Sequence, residues 1–283
     1  GVLSPENKIS RPHVPTSLKM LWHFEYLAAS LDNEFARFLA AAQVVALLAA
    51  LRIIDVQSSC IETVDAQKIE ATTWRSKNPK VRRKVPMPWT APVVGISGFD
   101  WISAIIKHKY LFEQKQDFLI RRMQTPGKKS IFNAVAWGSG QMPDTDIQKF
   151  SQELLMQPPL ALSEEDAEMI TNHSTRYFLP NMSRSIGLPL EERREICRWK
   201  PTCKAEKGLQ REMANRYAQE SGLPRFRAIV SKIIRHINDF RNKRYKSSTA
   251  FFNSLANFAG WDIFSEGREE FDLVLGDIEP QGI

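Results

Sequence analysis

The sequence predicts a mainly α-helical chain with one small antiparallel β-sheet, an α+β fold. Three observations lead there. Apolar residues recur at helical spacing through most of the 283 residues. One stretch, residues 60–75, changes to a strand-like pattern with Ile61, Val64, Ile69, Thr72 and Trp74. The balance of 43% hydrophobic and 25% charged residues is that of a globular chain able to bury a core without staples.

Residues 1–16, with Pro5, Pro12 and Pro15, read as an extended lead-in. Leu18, Leu21, Trp22, Tyr26 and Leu27 predict a helix to about Leu31. Asp32 is the expected cap of a second helix, Glu34 to Leu51, apolar nearly all round and so buried. Its end presents Arg52, Ile53, Ile54 and Asp55. The run RSKNPKVRRKVPMP, residues 75–88, predicts a hairpin with a basic tip, turning at Asn78-Pro79 and stopped by Pro86 and Pro88. Helical spacing resumes from about Gly98 to Met123, and residues 124–146 read as loop. Asp144 or Thr145 should cap a helix from Ile147 to Leu155. Ser163 should cap another, which carries Met169 and Ile170 and delivers His173 and Arg176 on one face. Pro189 opens a further helix, LEERREICRW. Helices are also expected over Gln210–Gln219, after Pro224, and within 247–264. The chain divides into the lead-in 1–16, a main domain 17–222, and a C-terminal helical tail 223–283 with an acidic end.

Several function classes lose support at this stage. Three cysteines make no disulfide framework, and Cys197 and Cys203 have no second ligand pair for zinc. No metal site is expected. The apolar run Phe38 to Leu51 is too short to span a bilayer, and no secretory signal opens the chain, so neither membrane nor secretion is expected. There is no phosphate-binding glycine loop, HExxH or GxSxG. The net charge of +7 favours a polyanionic partner.

Four segments carry candidate chemistry. An Arg at the end of a buried helix needs partners for its five donors, supplied by Asp55, by helix carbonyls or by a phosphate that Asp55 helps orient. The hairpin tip holds six cations, Arg75, Lys77, Lys80, Arg82, Arg83 and Lys84. NHSTR places His173 and Arg176 three apart. ICRWKPTCKAEKGLQREMANRY carries Trp199 and Tyr217, which could serve as core anchor and surface residue or as part of a phosphate site.

In that order the segments resemble the catalytic domain of the tyrosine recombinase (phage integrase) family, over roughly residues 15–220 and in the divergent form of eukaryotic mobile-element recombinases. ALRIID resembles the first box, Thr-Gly-x-Arg-x-x-Glu/Asp, with Ala49-Ala50 in place of Thr-Gly. The basic hairpin resembles the segment that carries the family's lysine, NHSTR the second box, ICRWK the third and NRYAQ the tyrosine box. The resemblance implies that Arg52 and Arg176 clamp the scissile phosphate and that Lys77 protonates the leaving 5′ oxygen. Lys80 and Lys84 are the alternatives to Lys77. His173 would act as general base or hydrogen-bond donor, and Trp199 would fill the third-box position. Tyr217, or its rival Tyr245, would attack phosphorus. Arg75, Lys80, Arg82, Arg83 and Lys84 would contact DNA.

It further implies double-stranded DNA as partner, a homotetramer on DNA, no cofactor, and a nuclear location in a eukaryote or cytoplasm and nucleoid otherwise. Family members usually carry a separate helical DNA-clamp domain before this one; here a short lead-in is present, and the clamp is either lost or upstream of this fragment. A non-cutting DNA-binding relative, or an unrelated helical nucleic-acid or protein-binding module, are the other classes compatible with the sequence.

Overall fold

An almost wholly buried helix organises the molecule. The computed structural model describes residues 14–73, 87–111, 118–197 and 222–256, with the side chains of 109–111, 197 and 222 left aside. α1 (Leu18–Ser30) packs against α2 (Glu34–Leu48), in which every residue but Glu34 and Arg37 is buried. Five alanines in α2 let neighbouring elements approach its backbone closely. The single polar residue at its centre, Gln43, donates from Nε2 to Ser151 Oγ at 2.6 Å, so the buried amide is satisfied. The cap is Asn33 rather than Asp32: Asn33 Oδ1 accepts from the amides of Phe35 (3.0 Å) and Ala36 (2.9 Å).

The helix ends three residues earlier than its apolar run implies. Leu51 N–H donates to Ala46 O at 2.9 Å and Ala50 N–H to Leu47 O at 3.4 Å. Between them Ala50 is left-handed, with φ of 52°. This is a Schellman turn with Ala at the position that favours Gly. Arg52 therefore does not end the buried helix. It is the N-terminal cap residue of a new short helix, α3 (Ile53–Gln57).

β1 (Ser59–Val64), β2 (Lys68–Thr73) and β3 (Met87–Pro92) form an antiparallel sheet in that order. The β1–β2 turn is closed by Asp65, whose Oδ1 accepts from the amides of Gln67 and Lys68 at 2.8 and 3.0 Å. The hairpin expected around the basic run is thus one half of a three-stranded meander, with Thr73 paired to Met87 across the basic segment. Pro86 lies outside the described residues, and Pro88 does not stop the return strand. Pro88 lies within β3 opposite Thr72, and an edge strand tolerates a missing amide donor.

The helix expected from Gly98 to Met123 divides in two. α4 (Ile102–Leu111) is followed by β4 (Arg121–Gln124), which pairs antiparallel with β5 (Ala136–Gln141). A 3₁₀ turn, Ile131–Asn133, lies between the strands. The expected loop thus contains half of a second sheet. Buried Leu119 and Ile120 continue the apolar spacing past Leu111, while β4 turns only Met123 inward, so its strand character leaves little trace in sequence.

α5 (Asp144–Leu155) runs against α2, and α6 (Glu164–Glu168) is capped by Ser163 as expected, its Oγ accepting from Asp166 N–H at 3.1 Å. α6 stops before Met169 and does not deliver the His173 segment, which lies at a separate 3₁₀ turn, Ser174–Tyr177. α7 (Phe178–Ser185) and α8 (Leu190–Cys197) follow directly.

α9 (Gly222–Arg244) lies on β3, α7 and α8, with Phe226, Val230, Ile233 and Ile237 buried. α10 (Ser248–Ser254) returns to α1, where Phe252 meets Trp22 at a ring distance of 4.4 Å. The described part of the C-terminal region thus packs into the same core as α1. The buried Glu25 carboxylate fastens this end. It accepts from the Ile96 and Ser97 amides and the Ser97 hydroxyl, while Arg241 and Asn238 of α9 donate to the carbonyls of Ile96 and Gly95. Burial pushes the Glu25 carboxyl up to about 7, against the pull of those donors and of Arg241. No helix among the described residues is long and apolar enough to cross a membrane.

Ala50→Gly should stabilise the protein by about 1 kcal/mol, because glycine takes a left-handed φ without the Cβ clash. Chemical denaturation of the two proteins checks this; a neutral or destabilising substitution would contradict the strain assigned to Ala50.

Candidate functional site

Arg52 is brought to the surface by the turn at Ala50 and held by the helix it caps. Ile53, Ile54, Val56 and Gln57 of α3 are buried, which fixes the axis of this short helix. The Asp55 carboxylate reaches back to accept from the Arg52 amide at 3.4 Å. Asp55 therefore orients Arg52 through its backbone. The Arg52 side chain is half-buried.

The His173 segment meets Arg52 from the other side of the chain. Thr175 Oγ1 donates to the Leu51 carbonyl at 2.8 Å, in a buried contact that spans 124 residues. Leu51 precedes Arg52 and Thr175 precedes Arg176, so this bond holds the chain that leads into Arg52 against the turn that carries Arg176. The turn is braced locally. Ser174 Oγ accepts from Thr171 N–H at 3.0 Å, and Thr171 Oγ1 from His173 N–H at 3.3 Å. Asn172 Nδ2 donates to Asp144 O at 2.9 Å. Ser174 and Thr175 are buried while His173 and Arg176, on either side, are half-buried. His173 and Arg176 thus belong to a 3₁₀ turn, His173 as its N-terminal cap residue and Arg176 within it, rather than to one face of the helix expected there.

The sheet approaches the same place. Thr73, the last residue of β2, donates from Oγ1 to Asp55 O at 2.8 Å and lies 3.3 Å from Ser58 O. Ser59 Oγ also donates to Asp55 O, at 2.7 Å, and accepts from Trp89 Nε1 at 2.9 Å. Because Thr73 is paired with Met87, both attachment points of the basic segment stand beside α3. Arg75, Lys77, Lys80, Arg82, Arg83 and Lys84 themselves lie outside the described residues.

Trp199 and Tyr217 also lie outside them, in 198–221. The ends of that segment are joined: Glu195 near the end of α8 pairs with Arg225 at the start of α9 at 3.0 Å, and Glu192 with Lys232 at 3.3 Å. α8 packs on α7, which continues directly from the Arg176 turn. Tyr245 is placed elsewhere. Its ring packs near Phe240 (6.1 Å) and Phe251 (5.3 Å), just past Arg241, which reaches Ile96 beyond the Pro92 end of β3. That end is roughly 17 Å along the strand from Met87 and the α3 side.

Three residues that organise the site were not singled out in sequence: Thr175, Thr73 and Gln57. Gln57 Nε2 donates to Met142 O at 2.6 Å, its Oε1 accepts from Gln141 Nε2 at 2.9 Å, and its carbonyl accepts from Leu119 N–H at 2.8 Å. It thereby fastens the second sheet to α3. Nothing in their spacing marks them, since each acts through a partner distant in sequence. His23 and His108, by contrast, are core residues. Burial lowers their pKa to about 4 and about 3, so both are neutral at pH 7.

Comparison with protein-family models, with curated proteins and with solved structures returned no match to this chain.

Thr175→Val should cost about 1–2 kcal/mol, because it keeps the shape and leaves the buried Leu51 carbonyl without its donor. Urea denaturation measures this; an unchanged midpoint would mean that the bond does not hold the two segments together.

Proposed function

We propose that this chain breaks and rejoins double-stranded DNA through a 3′-phosphotyrosine intermediate, as a tyrosine recombinase. The observation that carries the proposal is the Thr175–Leu51 hydrogen bond, which puts Arg52 next to the His173–Arg176 turn. Two further features support it. The basic segment leaves and rejoins the sheet beside α3. Ala50, which stands where the family has the first-box glycine, has a left-handed φ of 52°, a conformation that favours glycine.

The chemistry follows from what phosphoryl transfer requires. The in-line transition state carries charge on its non-bridging oxygens, and positioned guanidinium forks stabilise that charge. Arg52 and Arg176 would supply the forks. Tyr217 Oη would attack phosphorus and form the P–Oη bond as the P–O5′ bond breaks, leaving the 3′ end esterified to the protein. Lys77 would give its proton to the departing 5′ oxygen. His173 would take the tyrosine proton or hydrogen-bond a phosphate oxygen, and Trp199 would line the phosphate pocket. A phenol with a pKa of about 10 is a weak nucleophile at neutral pH, and the surrounding cations favour its ionised form. In the reverse step a 5′-hydroxyl attacks the phosphotyrosine, so the ester bond is conserved and rejoining needs no nucleotide. Strand exchange between two duplexes calls for four such sites, hence a homotetramer on DNA.

The test is covalent trapping on a pool of nicked, random-sequence duplexes. The parent protein should give a denaturant-resistant DNA adduct that Tyr217→Phe abolishes. An adduct that survives this substitution would transfer the nucleophile to another residue. DNA binding without any adduct would favour a relative that binds but does not cut, and no DNA binding would overturn the proposal.

A further inference from the structure

We propose that the β4–β5 sheet is a second contact surface for the backbone of double-stranded DNA, with Arg122 and Lys128 as its phosphate contacts. The proposal rests on the recombinase reading above and adds to it residues outside its catalytic and basic-hairpin segments.

Charge is the first observation. From Phe118 to Pro143 the sequence has four cations, Arg121, Arg122, Lys128 and Lys129, and no carboxylate. Lys129 is committed to Asp146 at 2.5 Å. Arg122 and Lys128 are exposed, and neither has an ion pair among the described residues. Two long cations held on a hairpin without counter-charges attract an external polyanion.

Position is the second. The Arg121–Gln141 end of the sheet is fixed to α3 through Gln57. Gln57 lies five residues from Arg52, about 8 Å along the helix axis. That is less than the width of a DNA major groove, about 12 Å. A duplex engaged at Arg52 therefore passes close to this sheet.

Shape is the third. Ser139, Gly140 and Gln141 of β5 are exposed, and a Cβ built on Gly140 would meet nothing within 4 Å. Among the described residues the sheet has two strands, so there β5 offers an open edge with Ser139 and Gly140 along which a phosphate backbone can approach the main chain. An acidic protein could satisfy the charge alone. The fixed spacing from Arg52 favours the duplex.

Fluorescence anisotropy with a labelled random-sequence duplex, titrated over a range of salt, tests this. Arg122→Ala/Lys128→Ala should weaken binding about tenfold and lower the salt slope by about 2, as expected for two lost phosphate contacts. Lys243→Ala, an exposed cation on α9, should change affinity less than about twofold. Wild-type binding with no loss in the double variant would overturn the proposal and leave the recombinase reading standing. An equal loss from Lys243→Ala would also overturn it, because net charge alone would then be acting. A wild-type protein that binds no duplex would overturn both.

Discussion

The Schellman turn that closes α2 is the constraint on which the site depends. α2 is buried at every residue but Glu34 and Arg37, so it cannot tilt or slide without opening the core. Its last carbonyls are satisfied by the amides of Ala50 and Leu51, which fixes where the chain leaves the helix. The Leu51 carbonyl is thereby presented to Thr175, which holds the start of the Arg52 segment against the Arg176 turn. A functional group placed this way inherits the rigidity of the core rather than the mobility of a loop. The price is the left-handed backbone at a non-glycine residue.

The three strands, the second sheet and the C-terminal helices then read as supports around that turn. Asp55 serves twice: its carboxylate holds the Arg52 amide, and its carbonyl takes hydroxyls from Ser59 and Thr73. Gln57 ties in the second sheet on the far end of the same five-residue helix. Beyond the Pro92 end of β3, Glu25 and Arg241 fasten the loop after that strand to α1 and α9. α9 begins where the 198–221 segment ends, and it spans both regions. In the proposed reaction this gives the tyrosine-bearing segment a foundation shared with both arginines.

Much of the helical framework was legible in the sequence. The apolar spacing of Leu18 to Leu27 and the nearly continuous run from Phe38 mark α1 and α2, and Ser163 marks its helix start. Strand character between Ile61 and Thr72 was also visible. What sequence could not give was set by long-range contacts. The end of α2 was masked because Ala49, Ala50 and Leu51 are as apolar as the helix they terminate. β4 was hidden by its half-buried Arg121 and exposed Arg122, and the third strand by prolines that an edge position tolerates. For the candidate site, sequence motifs single out Arg52, His173 and Arg176, and the fold shows where their backbone lies. The Thr175 hydroxyl that joins the two segments was not legible, because a threonine between a serine and an arginine carries no signal of a partner 124 residues away.

The central claim is that Arg52 and Arg176 act on one phosphate. A crystal structure of the protein grown with tungstate, a phosphate mimic located by its anomalous signal, addresses it most directly. The account predicts one strong peak touched by both guanidinium groups at about 3 Å, the distance of a charge-assisted hydrogen bond. Tungstate bound to only one of them, or arginines pointing to separate sites, would contradict it.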